Sequence, residues 1–224
     1  MDAEFFRAWM TCAAEVVQAH RDHLTQLDAA IGDADHGINL ARGFTAVRYT
    51  LQARVPAAGA PVLPGRILAV TGATLIAEVG GAAGPLYGIA FRRAGKSLGQ
   101  AADVGLPALS AALGAALAGI QEIGAAREGD KTMVDAFTAG IRALGQAIAQ
   151  GASPDEALSV LAQAASAAAI ATIPLQALKG RASYLGPRSV GHQDPGATSA
   201  ALILGALRDA ARAVPLTAPG RAVR

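Results

Sequence analysis

The stretch 27–44 reads LDAAIGDADHGINLARGF, an acidic turn punctuated by glycine that leads into a helical pattern. Three aspartates, Asp28, Asp33 and Asp35, fall within eight residues of it, and carboxylates at this spacing repel one another unless a cation lies between them. The glycines let the backbone turn sharply enough for the three side chains to converge. Hard oxygen ligands suit Mg²⁺, which usually shares its coordination shell with substrate phosphates. The spacing predicts a magnesium site, and the alternative is a solvated acidic loop that caps a helix.

Helical periodicity extends along the whole chain, and no segment shows the sustained alternation of a strand. Short connections favour antiparallel neighbours. The predicted fold is all-α, a single domain over residues 1–224 with a core of about 5–212, built as a closed bundle or barrel of eight antiparallel up-and-down helices. The predicted helices span about 2–22, 37–53, 64–79, 85–97, 103–125, 130–150, 153–171 and 196–213.

Several of these helices carry a local start signal, either a proline in the first turn or a side chain that can cap the N-terminus. Aromatic residues make up only 4% of the chain, so we expect a core of closely packed helices with small side chains. The prolines are Pro64, Pro85, Pro154 and Pro195, and the expected caps are Asp130, Ser153 and Asp194.

Four connections between predicted helices carry chemically useful sequence, whereas the others, such as 55–61, carry little. Alternate connections of an antiparallel bundle emerge at the same end, so the four are expected to surround one site. The run GGAAGP at 80–85 offers backbone N–H groups at a helix N-terminus, as phosphate sites do, although it also fits an ordinary turn. The other three are the acidic turn, 124–132 and 172–196.

The last two of these loops offer further candidates. Met133 is expected either to lie against a planar base or to fill the core. Arg181 is expected either to clamp phosphate oxygens with its planar guanidinium or to remain a solvated surface charge. Asp194, Pro195 and Gly196 predict another helix N-terminus that approaches a ligand closely. A loop as long as the one that carries Arg181 is rare without a function.

Charge and composition argue against several classes of protein, among them nucleic-acid-binding, disulfide-rich and membrane proteins. The net charge is only +2 and the basic residues are scattered, which does not favour direct nucleic-acid binding. Cys12 is the only cysteine, so a disulfide framework and a cysteine zinc site are excluded. We expect no membrane span, because no apolar run reaches the length of one, and no signal peptide, because charged residues in the first turns interrupt its apolar region. We expect a cytoplasmic protein without a membrane partner.

The predicted metal site favours a polyphosphate ligand. Three aspartates with two Mg²⁺ leave a surplus of roughly one positive charge, which helix N-termini and Arg181 would supplement. This suits a nucleotide di- or triphosphate better than a neutral metabolite. The chain has neither a Walker motif nor the catalytic-loop signature of protein kinases.

From about Leu24 to Leu204, the chain resembles the ADP-binding L subunit of dihydroxyacetone kinase. The acidic turn alone would also fit the nucleotide domain of fatty acid kinases, but the HQDPGA run argues against them. The segments that carry the resemblance are LDAAIGDADHGINLARGF (27–44), GGAAGPLYG (80–88), GDKTM (129–133) and TIPLQALKGRASYLGPRSVGHQDPGATS (172–199).

The resemblance implies a closed barrel of eight helices that holds ADP or ATP and two Mg²⁺ at one end. It carries Mg²⁺ ligation to Asp28, Asp33 and Asp35, and a catalytic role to Arg181, which would neutralise charge on the transferring phosphoryl group. It carries nucleotide contacts to His36, Gly37, Ile38, Asn39, Ala82, Ala83, Gly124, Met133, Arg181, Asp194, Pro195 and Gly196.

Two positions depart from the family pattern. Ala83 stands where many members have a serine, which removes a hydroxyl contact to phosphate but keeps the backbone N–H groups. Leu178 stands where an arginine is common, a change expected to affect partner docking or anion affinity rather than metal binding.

The resemblance also implies a phosphoryl-donor role. The terminal phosphate would pass to dihydroxyacetone held covalently on a separate K subunit, and a phosphohistidine of an M subunit of the phosphotransferase system would rephosphorylate the bound ADP. One alternative is a kinase subunit that exchanges ATP and acts on dihydroxyacetone or another ketose such as erythrulose. Another is a regulatory protein that senses nucleotide state, in contact with a transcription factor. The sequence leaves oligomeric state open.

Overall fold

The fold is helical throughout the part of the chain described by the computed structural model, residues 1–54 and 62–214. Those residues form nine α-helices and one 3₁₀ helix, without a strand, which confirms the all-α prediction. The predicted connector 55–61 and residues 215–224 lie outside the described residues. The α-helices are α1 (Ala3–Ala19), α2 (Arg21–Ile31), α3 (His36–Arg54), α4 (Pro64–Glu78), α5 (Ala83–Leu98), α6 (Leu106–Gly124), α7 (Met133–Ala149), α8 (Pro154–Ala171) and α9 (Pro195–Ala213), with the 3₁₀ helix Arg181–Ser189 before α9.

Eight of these α-helices form a ring around one main core. Helix α1 packs against α3, each helix from α3 to α8 packs against its successor, and α9 returns to α1. Every helix of the ring contributes buried apolar side chains to the core. Helix α2 contacts α3, α9 and the 3₁₀ helix. The predicted closed up-and-down bundle is confirmed, with α2 as an additional helix.

Helices α4 and α5 approach each other along glycines. A Cβ atom added to Gly65 would lie 2.6 Å from the carbonyl oxygen of Gly95, and one added to Gly72 would lie 2.5 Å from that of Gly88. No side chain fits these gaps, so the backbones can pack at a distance that larger residues would prevent. This agrees with the expectation of a core made by small residues.

The predicted first helix, about 2–22, is wrong in its extent. The helix breaks at His20, where φ is −101° and ψ is 10°, and α2 then continues as far as Ile31. Only Leu24, Asp28 and Ile31 are buried along α2. A helix that packs at one end of the ring has no broad apolar stripe, so periodicity did not reveal it.

Most of the expected start signals hold. Pro64, Pro154 and Pro195 each begin a helix, and Pro85 lies in the first turn of α5, which begins two residues earlier than the proline. Ser153 caps α8 in a capping box with Glu156, and Asp194 caps α9.

The expected cap at Asp130 is wrong. Thr132 caps α7, and the Asp135 carboxylate accepts from the Thr132 N–H at 2.7 Å, which completes a capping box. The Asp130 carboxylate instead accepts from the Arg127 N–H at 2.8 Å. Both residues are good caps in isolation, and the capping box decides between them.

Helix α6 bears on the expectation that no segment of the chain spans a membrane. Among the described residues, it alone is long and apolar enough to cross a bilayer by length and composition. In the fold it packs between α5 and α7 as part of the ring. Length and composition alone are weak evidence for a span, because a core helix passes the same test.

Candidate functional site

Four helices begin at one cavity of about 260 Å³. Their first residues or the residues beside them, His36 of α3, Ala83 of α5, Met133 of α7 and Pro195 of α9, all line it. The helices between them end at the same face, so the macrodipoles largely offset one another. The N–H groups of the first turns therefore supply local positive potential, and the four predicted loops meet at one end as expected.

The three predicted metal ligands converge at this cavity. One carboxylate oxygen from each of Asp28, Asp33 and Asp35 lies within 4.8 Å of the others. Asp28 is in the last turn of α2 rather than in a loop, which corrects the expected length of the acidic turn. Three carboxylates at this distance provide the hard oxygen donors that a divalent cation needs, so the cluster fits the predicted Mg²⁺.

Asp28 also organises the turn that carries the other two aspartates. Its Oδ2 accepts from the backbone N–H groups of Asp35 at 2.9 Å and His36 at 3.1 Å, so it caps the start of α3. A Cβ atom on Gly32 would lie only 2.0 Å from Asp28 Oδ1. The Asp28 carboxylate can therefore occupy this place only because residue 32 has no side chain.

Arg181 reaches the acidic cluster from the opposite wall. Its Nη2 lies 2.9 Å from Asp33 Oδ2, and its side chain is 65% exposed. An ion pair this exposed adds little to stability. The arginine belongs to the cavity lining, so its guanidinium is accessible to a ligand there, and its contact with phosphate stays a prediction.

The rest of the cavity is lined largely by apolar side chains and by backbone atoms. Met133 is 5% exposed and belongs to the core as well as to the cavity wall, so its core role is confirmed and its contact with a base stays a prediction. No side chain caps α5 at its N-cap residue Ala82, which leaves the N–H groups of its first turn to a ligand. Other predicted contacts in the lining are Asn39, Ala83, Gly124, Pro195 and Gly196.

Asp194 is a buried carboxylate in the same lining. Its Oδ2 accepts from the Ala197 N–H at 2.7 Å, and its own N–H donates to Thr172 Oγ1 at 3.0 Å. Burial raises the pKa of the Asp194 carboxyl to about 7, although the bond from Ala197 opposes the change. Its charge therefore depends on pH near neutrality.

Two predicted nucleotide contacts lie beside the cavity rather than in it. A Cβ atom on Gly37 would lie 2.0 Å from the Arg21 carbonyl oxygen, so this glycine permits close packing of α3 on α2. Ile38 is 51% exposed. Neither residue belongs to the cavity lining, and their assignment remains a prediction.

A hydrogen-bond network that was not anticipated from the sequence supports His36. Its Nε2 lies 2.9 Å from Ser199 Oγ, and the Tyr87 hydroxyl lies 2.7 Å from the same oxygen. Burial lowers the pKa of His36 and raises the pKa of Tyr87, so both are favoured in the neutral form. Ser199 and Tyr87 lie within the quoted segments, but nothing in their spacing indicates that they meet.

Lys131 is a second residue that sequence reasoning missed, although the GDKTM segment contains it. Its side chain is 1% exposed, and its ammonium donates to carbonyl oxygens of the 172–192 segment. Desolvation lowers its pKa. A buried lysine next to a cap residue has no sequence signal of its own.

Comparison with known proteins identifies the family. Residues 30–209 match the model of the DAK2 domain. The chain is 42% identical over 204 residues to "PEP-dependent dihydroxyacetone kinase, ADP-binding subunit DhaL" of Escherichia coli (strain K12), covering 91% of this chain and 95% of that protein. It is 39% identical over 204 residues to the ADP-binding subunit DhaL of PEP-dependent dihydroxyacetone kinase 2 of Listeria innocua, covering 91% and 93%.

Longer proteins share the same unit. The human "Triokinase/FMN cyclase" is 37% identical over 186 residues, which cover 83% of this chain and 31% of that protein. The crystal structure of the dihydroxyacetone kinase from C. freundii in complex with AMP-PNP and Mg²⁺ superposes with a TM-score of 0.67 at 27% identity, over 93% of this chain and 34% of that one. The chain therefore belongs to the DAK2 domain family, and over most of its length it is a relative of the ADP-binding subunits of dihydroxyacetone kinase.

Proposed function

We propose that this chain is the nucleotide-binding phosphoryl-donor subunit of a dihydroxyacetone kinase. It would hold ADP or ATP with two Mg²⁺ and pass the terminal phosphate to dihydroxyacetone bound covalently on a separate K subunit. The observation that carries the proposal is the convergence of Asp28, Asp33, Asp35 and Arg181 at a cavity where four helices begin. The Mg²⁺ and AMP-PNP of the C. freundii kinase structure support the choice of ligand.

Each part of the cavity has a task in this reaction. The three aspartates would hold the metal ions, which neutralise charge on the phosphates. Arg181, which already reaches Asp33, would contact the transferring phosphoryl group with its planar fork. The first turn of α5, which has no side-chain cap, would donate its N–H groups to phosphate oxygens. The apolar wall that includes Met133 would accept the base.

The surface around the cavity supports transfer to a second protein. Large apolar side chains that are exposed among the described residues concentrate at the ends of helices on this face and in the 172–192 segment. Apolar residues clustered at one end of a soluble protein mark an interaction surface. We call this set the apolar rim: Ile38, Ile76, Ile123, Ile170, Leu178, Tyr184 and Val190.

The phosphate source has two candidates. The names of the Escherichia coli and Listeria innocua relatives give PEP dependence and ADP binding, which favours rephosphorylation of bound ADP, and we propose a phosphohistidine of an M subunit as the donor. The similarity to triokinase and to a kinase that binds AMP-PNP favours exchange of ADP for ATP, with dihydroxyacetone or another ketose as acceptor. We place either version in the cytoplasm. A regulatory role in contact with a transcription factor finds no support in the comparisons.

The nucleotide content of the purified chain tests the proposal. We expect about one ADP per chain after gel filtration, released by a Mg²⁺ chelator, if ADP acts as a resident cofactor. A chain that is empty but binds ATP with Mg²⁺ favours exchange. A chain that binds neither nucleotide with Mg²⁺ contradicts the proposal.

Transfer to the acceptor tests the role of the acidic cluster. With the K subunit and its dihydroxyacetone supplied, we expect Asp33→Asn to lose phosphoryl transfer, because the variant removes one metal ligand. Asp155→Asn, in the first turn of α8 away from the cavity lining, is the matched control. Unchanged transfer by Asp33→Asn would contradict the ligand assignment.

A further inference from the structure

The ammonium group of Lys131 lies inside a cage of backbone carbonyl oxygens. Nζ lies 2.9 Å from the oxygen of Thr172, 3.0 Å from that of Leu175, 2.8 Å from that of Ser189 and 2.5 Å from that of His192. A fifth oxygen, from Ile173, lies at 3.5 Å. Because an ammonium has three N–H groups, the cage exceeds what one lysine needs and replaces its hydration shell almost completely.

These carbonyls come from both ends of a single loop. Thr172 follows the end of α8, whereas Ser189 is the last residue of the 3₁₀ helix and His192 follows that helix. The two ends also meet through the Gly191 N–H, which donates to the Ile173 carbonyl at 2.8 Å. Lys131 therefore closes the neck of the 172–192 segment, and it does so at the C-terminus of a helix, where a cation is favoured.

The far side of the same segment carries Arg181 to the acidic cluster. Ala177 and Ala182 form a small buried cluster with Ile31 of α2, and Arg181 lies 2.9 Å from Asp33. The segment has few other apolar anchors, so its path depends on the polar ties at its neck. Lys131 itself has a φ of 62°, a conformation that L residues rarely adopt and that the cage must hold.

We propose that Lys131 is a positioning residue that sets the 172–192 segment so that Arg181 meets the phosphates of the bound nucleotide. Lys131 donates to carbonyls rather than to the ligand, so it acts through Arg181. The inference deepens the proposed function and rests on it for the role of Arg181. The cage geometry and the closed neck stand independently of any ligand.

Proteolysis without ligand tests the first half of this inference. Trypsin can cut the segment after Lys179, Arg181 and Arg188. We expect Lys131→Met to be cut there about tenfold faster or more than the wild-type chain, because the carbonyls of the cage lose the ammonium that joins them and the segment opens locally. Lys96→Met, which removes an exposed lysine of α5, is the control. Equal cleavage rates in a folded Lys131→Met chain would overturn the inference.

A double-mutant cycle tests the second half. Calorimetry of Mg·ADP binding is expected to show a loss of about tenfold or more for Lys131→Met, and less than about twofold when Arg181→Ala is already present. The same loss in both backgrounds would mean that Lys131 does not act through Arg181, which overturns the proposal. If circular dichroism shows that Lys131→Met does not fold, Lys131→Gln replaces it in both experiments, because its amide keeps two N–H donors without the charge.

The two proposals fail in different ways. A wild-type chain that binds no Mg·ADP contradicts the proposed function, and the proteolysis comparison then decides whether Lys131 holds the segment. A wild-type chain that binds Mg·ADP while Lys131→Met binds it equally well contradicts only this inference.

Discussion

At the scale of single residues, Asp28 combines two roles. It caps the start of α3 through Oδ2 and contributes an oxygen to the acidic cluster. The cap orders the Asp28 side chain before any metal binds, so metal binding would cost less side-chain conformational entropy. Asp28 is 7% exposed, and its burial is offset by those two backbone donors.

Gly32→Ala tests how tightly this carboxylate is held. The new Cβ would lie 2.0 Å from Asp28 Oδ1, the end of a side chain, so the carboxylate can move without unfolding the chain. We expect the Mg²⁺ dependence of ADP binding to weaken by about tenfold or more, and the free energy of unfolding to fall by about 0.5–2 kcal/mol, because the displaced carboxylate no longer caps α3. Calorimetry at several Mg²⁺ concentrations measures the first and thermal unfolding the second.

Gly145→Ala in α7 is the matched control. No atom lies within 4 Å of a Cβ atom built there, so this variant is expected to gain about 0.4–1 kcal/mol of stability with unchanged affinity. Unchanged Mg²⁺ dependence in Gly32→Ala would show that the position of Asp28 is not constrained by Gly32.

The Asp194 carboxyl predicts a pH dependence of stability. Its pKa in the folded chain is about 7, above the value of about 3.9 expected in the unfolded chain. The folded state therefore keeps a proton that the unfolded state has lost, and this contribution to stability falls as pH rises between these values. The slope approaches about 1.4 kcal/mol per pH unit.

Asp194→Asn isolates this effect because an amide keeps a capping oxygen and does not titrate in this range. With a chelator and no nucleotide, the free energy of unfolding of the wild-type chain relative to the variant is expected to fall from about pH 4 to about pH 7 and then level off. Urea unfolding at several pH values measures it. A difference that does not change with pH would contradict burial as the cause.

At the scale of elements, helix N-termini rather than whole-helix dipoles make the cavity attractive to anions. The successive ring helices run in opposite directions, so helix ends of both signs reach the same face, and only the N–H groups of the first turns point a donor at a ligand. Helix α5 is the clearest case because its N-cap, Ala82, provides no side-chain acceptor.

Ala83→Asp tests the first turn of α5. A carboxylate there is expected to stabilise the helix by about 0.3–1 kcal/mol through the dipole and to weaken Mg·ADP binding by about tenfold or more, since it repels the phosphates. The melting temperature measured by thermal unfolding should therefore rise, whereas the Mg·ADP affinity measured by calorimetry should fall. Ala83→Asn, which adds nearly the same volume without charge, is the control. Equal Mg·ADP affinities of the two variants would contradict phosphate binding at the N-terminus of α5.

At the scale of the whole molecule, the cavity and the apolar rim share one face of the ring. A nucleotide bound in the cavity and a partner docked on the rim would therefore face the same way, as the proposed transfer between two proteins requires. Tyr184 is 87% exposed on the rim, whereas Tyr49 is 70% exposed in the middle of α3. The two tyrosines form a matched pair for testing the rim.

Tyr184→Asp is expected to leave Mg·ADP affinity unchanged and to raise the KM for the dihydroxyacetone-loaded K subunit by about tenfold or more, because a charge would be buried at the interface. Tyr49→Asp should alter neither quantity. Steady-state transfer at varied K-subunit concentrations provides the measurement, and equal KM values for both variants would exclude this part of the rim from docking.

The elements that depend on local sequence could be predicted well. Ser153 and Asp194 cap the helices they precede, and Pro64, Pro154 and Pro195 begin theirs, because caps and prolines act within a few residues. Helix α2 could not be predicted, since its few buried positions are set by contacts with α3, α9 and the 3₁₀ helix. The choice of Thr132 over Asp130 as a cap likewise depends on the Asp135 carboxylate, which accepts from the Thr132 N–H.

The sequence by itself determined the helical class, the alternation that brings four loops to one end, and the identity of the three clustered aspartates. All of these follow from periodicity and from residue type at short separation. Only the tertiary structure decided that Arg181 reaches Asp33, that Lys131 closes the neck of the 172–192 segment and that Ser199 joins His36 to Tyr87. These contacts join residues from 41 to 163 positions apart, and such pairs meet only when the packing of the ring brings their helix ends together.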